Sequence, residues 1–387
     1  MGSARPGYLD NFLTPTGAFY EVTRGKPYEL GEAERRAAGL TPETWSLEIV
    51  GDEPPWQPTL SRIFRRDDGR RDDGTAIPLA RLEELFRRRA VRCVKTMQCL
   101  LDAPASGLCS NGFWEGVALR DVLLLAGRLE NVRRLYYSGY HREPKHLFAS
   151  SLSLSEALDT PPGHLPVFLA LRLNGEPLPI ERGGPVRMLV PEAYGFKSIK
   201  WLQRIVLTND YRANDSYAQA NNDPQSPMKT LARMDVHASE NFMKGEPVVV
   251  RGIAVVGASG LERVEYWLRK DQGTHGVLAP DDPAWATAEW KEIPLPKAPP
   301  ANWTASLPGG RLPAGVPFFE DGGARAREWP APFTWVPWTL RLEGLAPWAY
   351  ELRVRAVDKN GFAQPEPRPN NQSGIADIPC RTFVVTG

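Results

Sequence analysis

Cysteine is scarce in this 387-residue chain: only Cys93, Cys99, Cys109 and Cys380 occur, none in a C-x-x-C pair. That excludes a disulfide framework and the spacing of a cysteine-based zinc site. With no CxxCH and no cysteine cluster, a haem or iron–sulfur centre is not expected either. No run is long and apolar enough to cross a bilayer, and the opening MGSARPGYLDNFLTPTGAF lacks a basic stretch followed by an apolar core. An excess of one charge is also missing. The 47 basic and 46 acidic side chains leave a net charge of +1, so no whole-molecule field steers the chain to nucleic acid or a lipid surface. The reading is a soluble protein of a bacterial periplasm or cytoplasm, without a nucleic-acid or membrane partner.

What is abundant points to strands. The 37 prolines, 34 glycines and 12 tryptophans accompany many short Val/Ile/Leu runs, which favours strand-rich domains joined by ordered loops. The length gives two or three domains, each able to bury its own core. LARLEELFRRR has leucines at helical spacing and runs into the strand VRCVKTMQC, whereas GFWEGVALRDVLLLAG reads as a turn and then a helix ending at Gly127. SLSLSEALDTPPGH reads as a Ser-capped helix stopped by its proline pair. The near-duplicate RRDDGRRDDG at 65–74 reads as a solvated loop. A polar, turn-rich stretch around 210–227 divides the chain into residues 1–215 and 216–387. The second part has short strands at turn-punctuated spacing, as in an immunoglobulin-like β-sandwich. Within it, about 271–330 reads as a long irregular insertion, either over a site or decorative.

Two stretches carry chemistry. The first is the lone Cys99 at the end of the 91–98 strand. The second is PVRMLVPEAYGFKSIKW, in which Arg187 leads into a tight Tyr194-Gly195-Phe196 turn, with Lys197 and Lys200 following. Backbone amides and three cations there would converge on one phosphate; the plain alternative is a β-turn with solvated lysines. Cys93 and Cys109 read as small buried hydrophobes.

Taken in order, TGAFYE (16–21), ETWSLEIVG (43–51), TMQC (96–99), SNGFWEGVALRDVL (110–123), the LNGEPLP to WLQRIVL region (173–207) and the segment 335–365 resemble the sulfite oxidase family of molybdenum enzymes. FYE and YGFK are nearer in wording to bacterial molybdenum methionine-sulfoxide reductases. The resemblance implies an α+β fold, with a mixed α/β molybdopterin-binding domain followed by the sandwich. It implies one molybdenum–molybdopterin cofactor (Mo-MPT), with Cys99 as the thiolate on the metal. Cofactor contacts would come from Tyr20, Glu21, Ser138, Arg182, Arg187, Gly195, Phe196, Lys197 and Lys200. It also implies a separate electron carrier such as a cytochrome, and a homodimer through the sandwich, with Trp335, Trp338 or Trp348 either at that contact or in the core.

The substrate pocket departs from the family pattern. Pro104 stands where an arginine is expected, Leu171 where a tyrosine is expected, and Thr23-Arg24-Gly25 where the family has Arg-Asn-His. Arg24 and Arg172 are the candidates to replace those groups. The expected activity is therefore oxygen-atom transfer at a small sulfur-centred substrate such as sulfite. Reduction of a sulfoxide or N-oxide, and a binding protein that keeps the fold without catalysis, stand as alternatives.

Overall fold

A computed structural model describes residues 11–23, 26–51, 75–103, 106–127, 129–142, 148–235, 241–270, 287–364 and 374–387. The 65–74 repeat, Arg24 and Pro104 lie outside the described residues. The first half runs α1 (Glu32–Ala37), β1 (Ser46–Gly51), β2 (Thr75–Pro78), α2 (Leu79–Arg89), β3 (Ala90–Gln98), β4 (Cys109–Ala118), α3 (Leu119–Leu125), β5 (Arg134–Gly139) and β6 (Ala149–Ser153). It continues through α4 (Leu154–Leu158), β7 (Phe168–Leu173), β8 (Glu176–Pro177), β9 (Arg187–Leu189), β10 (Leu202–Thr208) and α5 (Ser216–Gln219). The described residues of the second half contain β11 (Leu231–Met234), β12 (Asn241–Met243), β13 (Val248–Val255), β14 (Arg263–Lys270), β15 (Lys291–Ile293), a 3-10 turn (Pro308–Gly310), β16 (Trp335–Leu342), β17 (Trp348–Val357) and β18 (Cys380–Thr386).

Two sheets form the first half, ordered β2-β1-β10-β5-β6 and β3-β4-β7-β8, with β9 on β7. β1 and β10 pair in parallel while their neighbours pair antiparallel, so the first sheet is mixed. The helices pack on these sheets, as a mixed α+β fold requires. Helix α4 starts at a capping box: Ser153 Oγ accepts from the Glu156 amide, and the Glu156 carboxylate accepts from the Ser153 amide. One expectation fails here. GFWEGV is the second half of strand β4, not a turn. Every β4 residue is buried, and a Cβ on Gly116 would lie 1.9 Å from the Leu169 carbonyl oxygen. The glycine is there for close strand approach at a bulge and not for a reversal.

In the second half, sheets β11-β13-β16 and β12-β18-β17-β14-β15 face each other. One core joins them, with Met234, Val250 and Trp338 from the first sheet and Val264, Leu352 and Phe383 from the second, which makes this part a β-sandwich. Trp335 and Trp338 are buried in cores, whereas Trp348 is exposed.

A further cluster draws on both halves. Phe12, Val94, Leu100, Cys109, Phe113 and Tyr194 pack with Met228, Leu231, Ile253, Trp303, Phe319 and Trp335. Residues 287–330, the described part of the insertion, are thus core-forming: Trp303 lies edge-on to Phe12, with ring centroids 4.9 Å apart. The chain leaves β3 at the half-buried Cys99, and the next residue, Leu100, enters this shared core.

Candidate cofactor site

Strand β3 carries Met97, Gln98 and then Cys99, whose amide donates to the Leu108 carbonyl at 2.9 Å. That bond continues the β3–β4 ladder by one residue and fixes the backbone of the cysteine. Burial pushes the Cys99 thiol up from its ordinary value, and the nearby Asp102 carboxylate adds to this. As a metal ligand it must be deprotonated, a cost that bonding to a high-valent cation offsets.

Facing the end of β3 is the turn Gly195–Lys197. A Cβ on Gly195 would lie 2.6 Å from the Tyr20 hydroxyl oxygen, 3.3 Å from the Gln98 carbonyl oxygen and 3.4 Å from Met97 Sδ. Tyr20, the end of β3 and the YGFK turn therefore touch at one point. The Tyr20 amide donates to Ser110 Oγ at 2.9 Å, tying the N-terminal arm to β4. Burial, followed by Cys99, pushes the Tyr20 hydroxyl well up from its ordinary value, so it stays protonated and able to donate.

Beside this point sits a group of cations. Arg187 is buried, and its guanidinium donates to the Ser198 carbonyl at 2.9 Å and the Arg182 carbonyl at 3.1 Å, with Met97 Sδ at 3.8 Å. Arg182 donates to the carbonyls of Thr16 and Gly17, each at 3.0 Å. Lys200 donates to Thr23 Oγ1 at 2.6 Å. Gly183 makes room for it: φ is 104°, and a Cβ there would lie 2.9 Å from Lys200 Cβ. Burial and then Arg187 push the Lys200 amine down to about 7, with Glu21 opposing, and burial pushes Arg187 down to about 10. Burial alone would raise Glu21, but Tyr28, Lys200, Thr23 and Arg182 outweigh it and hold the carboxylate below its ordinary range.

Three cations thus gather with one surface carboxylate among them, and the Arg182 NH1 atom is buried without a hydrogen-bond partner, Glu21 lying 3.7 Å away. A buried guanidinium nitrogen left unpaired is costly, and an anion supplies the missing acceptor. Gln98 Oε1 is likewise buried and unpaired, ready to accept from a donor. The donor set fits a cofactor that has an anionic phosphate and hydrogen-bonding ring edges.

The remaining sequence candidates divide. Lys197 turns away from Lys200: its amine donates to the Ser151 carbonyl at 2.7 Å, among Glu156 and Asp215. Phe196 stacks on Tyr217 with centroids 3.7 Å apart. Ser138 lies on β5, paired with Arg204 and Ala149, and it is its neighbour Gly139 that meets the Lys200 backbone, a Cβ there lying 1.9 Å from the Lys200 carbonyl oxygen. Arg172 is not brought to the group. It is exposed on β7, with its guanidinium 5.4 Å from the Phe86 ring centroid and 3.4 Å from the Gly175 carbonyl. Sequence reasoning missed Tyr217, Asp102 and the buried Lys95, because each acts through a partner distant in the chain.

Residues 72–216 match the model of the oxidoreductase molybdopterin binding domain. The chain is 26% identical over 333 residues to the mitochondrial sulfite oxidase of Drosophila melanogaster, covering 79% of this chain and 51% of that one. To the mitochondrial sulfite oxidase of Macaca fascicularis it is 31% identical over 199 residues, 51% of this chain and 33% of the other. Residues 72–216 thus carry an oxidoreductase molybdopterin binding domain, and the chain is similar to the sulfite oxidases. It is also 34% identical, over 124 residues, to the NADPH nitrate reductase of Fusarium oxysporum, 32% of this chain and 13% of that one. It spans about half or less of the length of these relatives. In fold it is similar to the crystal structure of the sulfane dehydrogenase SoxCD from Paracoccus pantotrophus, with a TM-score of 0.61, 17% identity and coverage of 98% of this chain and 85% of that one.

Proposed function

We propose that this chain is a molybdopterin oxidoreductase of the sulfite oxidase family and carries out oxygen-atom transfer at a small sulfur-centred substrate such as sulfite. The reading rests on one observation: Tyr20, Gly195 and the strand end bearing Cys99 meet beside the Arg182, Arg187 and Lys200 cations, in a donor set deficient in negative charge. Arg182, Arg187 and Lys200 would hold the anionic tail of molybdopterin, and Cys99 would bind the metal. When bound, the cofactor supplies the oxygen-atom transfer and accepts or returns two electrons. The Tyr20 hydroxyl, kept protonated by burial, orients a substrate oxygen by donating to it. Strand β3, paired with β4 along one edge and bonded at Thr96 to the Phe333 carbonyl on the other, limits movement of Cys99 toward or away from the metal. Electrons would pass to or from a separate carrier such as a cytochrome.

A second reading, reduction of a sulfoxide or N-oxide, is favoured by where Arg172 lies. Arg172, a candidate to hold an anionic substrate, stands exposed over Phe86 and away from the Arg182, Arg187 and Lys200 group. A site with one cation fewer suits a neutral substrate better than a dianion. Assays of molybdenum-loaded protein with sulfite and ferricyanide, and separately with reduced viologen and sulfoxides, decide between the two. Turnover of sulfite alone supports the first reading, and turnover of sulfoxides alone supports the second. Activity in neither assay contradicts both.

A further inference from the structure

The loop that follows Cys99 is fastened both to its own half of the chain and to the sandwich. At its centre is Asp102, 1% exposed, whose carboxylate accepts from every side. Oδ2 accepts from Gln98 Nε2 at 2.9 Å, while Oδ1 accepts from Ser106 Oγ at 2.6 Å and the Leu108 amide at 2.8 Å. These donors lie on either side of Cys99, so one carboxylate sets the shape of the loop. The charge opposite comes from β11 of the sandwich: Arg233 Nε lies 3.5 Å from Asp102 Oδ2 and is buried with it. The same guanidinium donates through NH2 to the Asp102 carbonyl at 2.6 Å and the Ile375 carbonyl at 3.1 Å. The Ile375 amide in turn donates to the Leu100 carbonyl at 3.1 Å, and the Thr96 amide donates to the Phe333 carbonyl at 2.7 Å. Sandwich residues therefore hold the chain before Cys99, at the next residue and three residues beyond it.

We propose that Arg233 is a positioning residue for the cofactor site: acting through Asp102, it lets the β-sandwich set where the Cys99 sulfur stands. The inference rests on the reading of Cys99 as the metal ligand. A buried charge pair with several donors holds one geometry, and removing a partner leaves the other charge uncompensated. The loop would then open locally while β3 stays in its sheet.

Alkylation of the metal-free protein with iodoacetamide, read by peptide mass, reports this directly. Cys93 lies on β3 and is 1% exposed, which makes it an internal control for general loosening. In Arg233→Met and in Asp102→Asn, Cys99 should react roughly tenfold to a hundredfold faster while Cys93 stays unreactive. Arg233→Lys keeps a charge for Asp102 but not the forked donors, and should fall between. The metal-loaded variants should show a shifted metal–thiolate absorption band. Unchanged Cys99 reactivity in both Arg233→Met and Asp102→Asn overturns the proposal, as does an equal rise at Cys93. Failure of the ligand reading would appear separately, as Cys99→Ser protein that keeps the metal–thiolate band.

Discussion

The Tyr20 hydroxyl occupies the space that a side chain on residue 195 would need, with only 2.6 Å between its oxygen and the position of a Cβ there. Gly195→Ala must therefore push either the tyrosine or the turn outward, and Gln98 and Met97 block the other directions. Overpacking of this kind costs about 1–3 kcal/mol. The variant should unfold at a lower temperature and retain markedly less molybdenum, by elemental analysis, than the parent protein.

Arg182 tests the anion side of the site. Arg182→Met removes the unpaired NH1 and the bonds to Thr16 and Gly17. A lost charged hydrogen bond weakens binding by about 1.5–3 kcal/mol. Pterin fluorescence after acid release should therefore report at least a tenfold lower cofactor content at limiting cofactor. Normal content in the variant would place the anion elsewhere.

Arg172 provides the contrasting case. It was a candidate catalytic residue, yet it lies exposed over Phe86. An exposed cation–π contact contributes about 0.5–1 kcal/mol, so Arg172→Ala should show a small loss of stability. Its kcat/KM should stay within about twofold of the parent. A large loss confined to kcat/KM would return Arg172 to the site.

The buried Lys95 gives a pH dependence. Its amine contacts the Thr96 carbonyl at 2.8 Å and Met228 Sδ at 3.3 Å, and burial pushes it down to about 7. Cys93, Cys109 and Glu192 act against that shift, and Arg187 acts with it. Unfolded, the same lysine titrates near 10.5. Between those values the unfolded chain binds the extra proton, so stability rises with pH across the window and the penalty is complete below about 7. In Lys95→Met the slope of unfolding free energy against pH, measured by denaturant titration between pH 7.5 and 10, should fall by about 1 kcal/mol per unit. Lys200 keeps its own slope there.

Much of this was legible in the sequence because it is local. Helical leucine spacing gives α2, the β-branched run gives β3, and the Ser153 cap gives α4. The Gly-rich GFWEGV misleads, since glycine marks a turn and a close strand contact alike, and only the Leu169 carbonyl distinguishes them. The placement of Lys197 and Lys200 three apart predicts convergence only on a helix. Here the single turn Gly195–Lys197 ends at Ser198, with φ −92° and ψ 70°, before Lys200 is reached, so the two amines separate. Arg233 carries no local signal, because its partner Asp102 lies 131 residues earlier.

The central claim is that Cys99 supplies a sulfur to molybdenum, and X-ray absorption at the molybdenum edge measures it most directly. Cys99→Ser, loaded in the same way as the parent protein, should show one fewer sulfur neighbour around the metal and should lose turnover. An unchanged number of sulfur neighbours with activity retained would contradict the account.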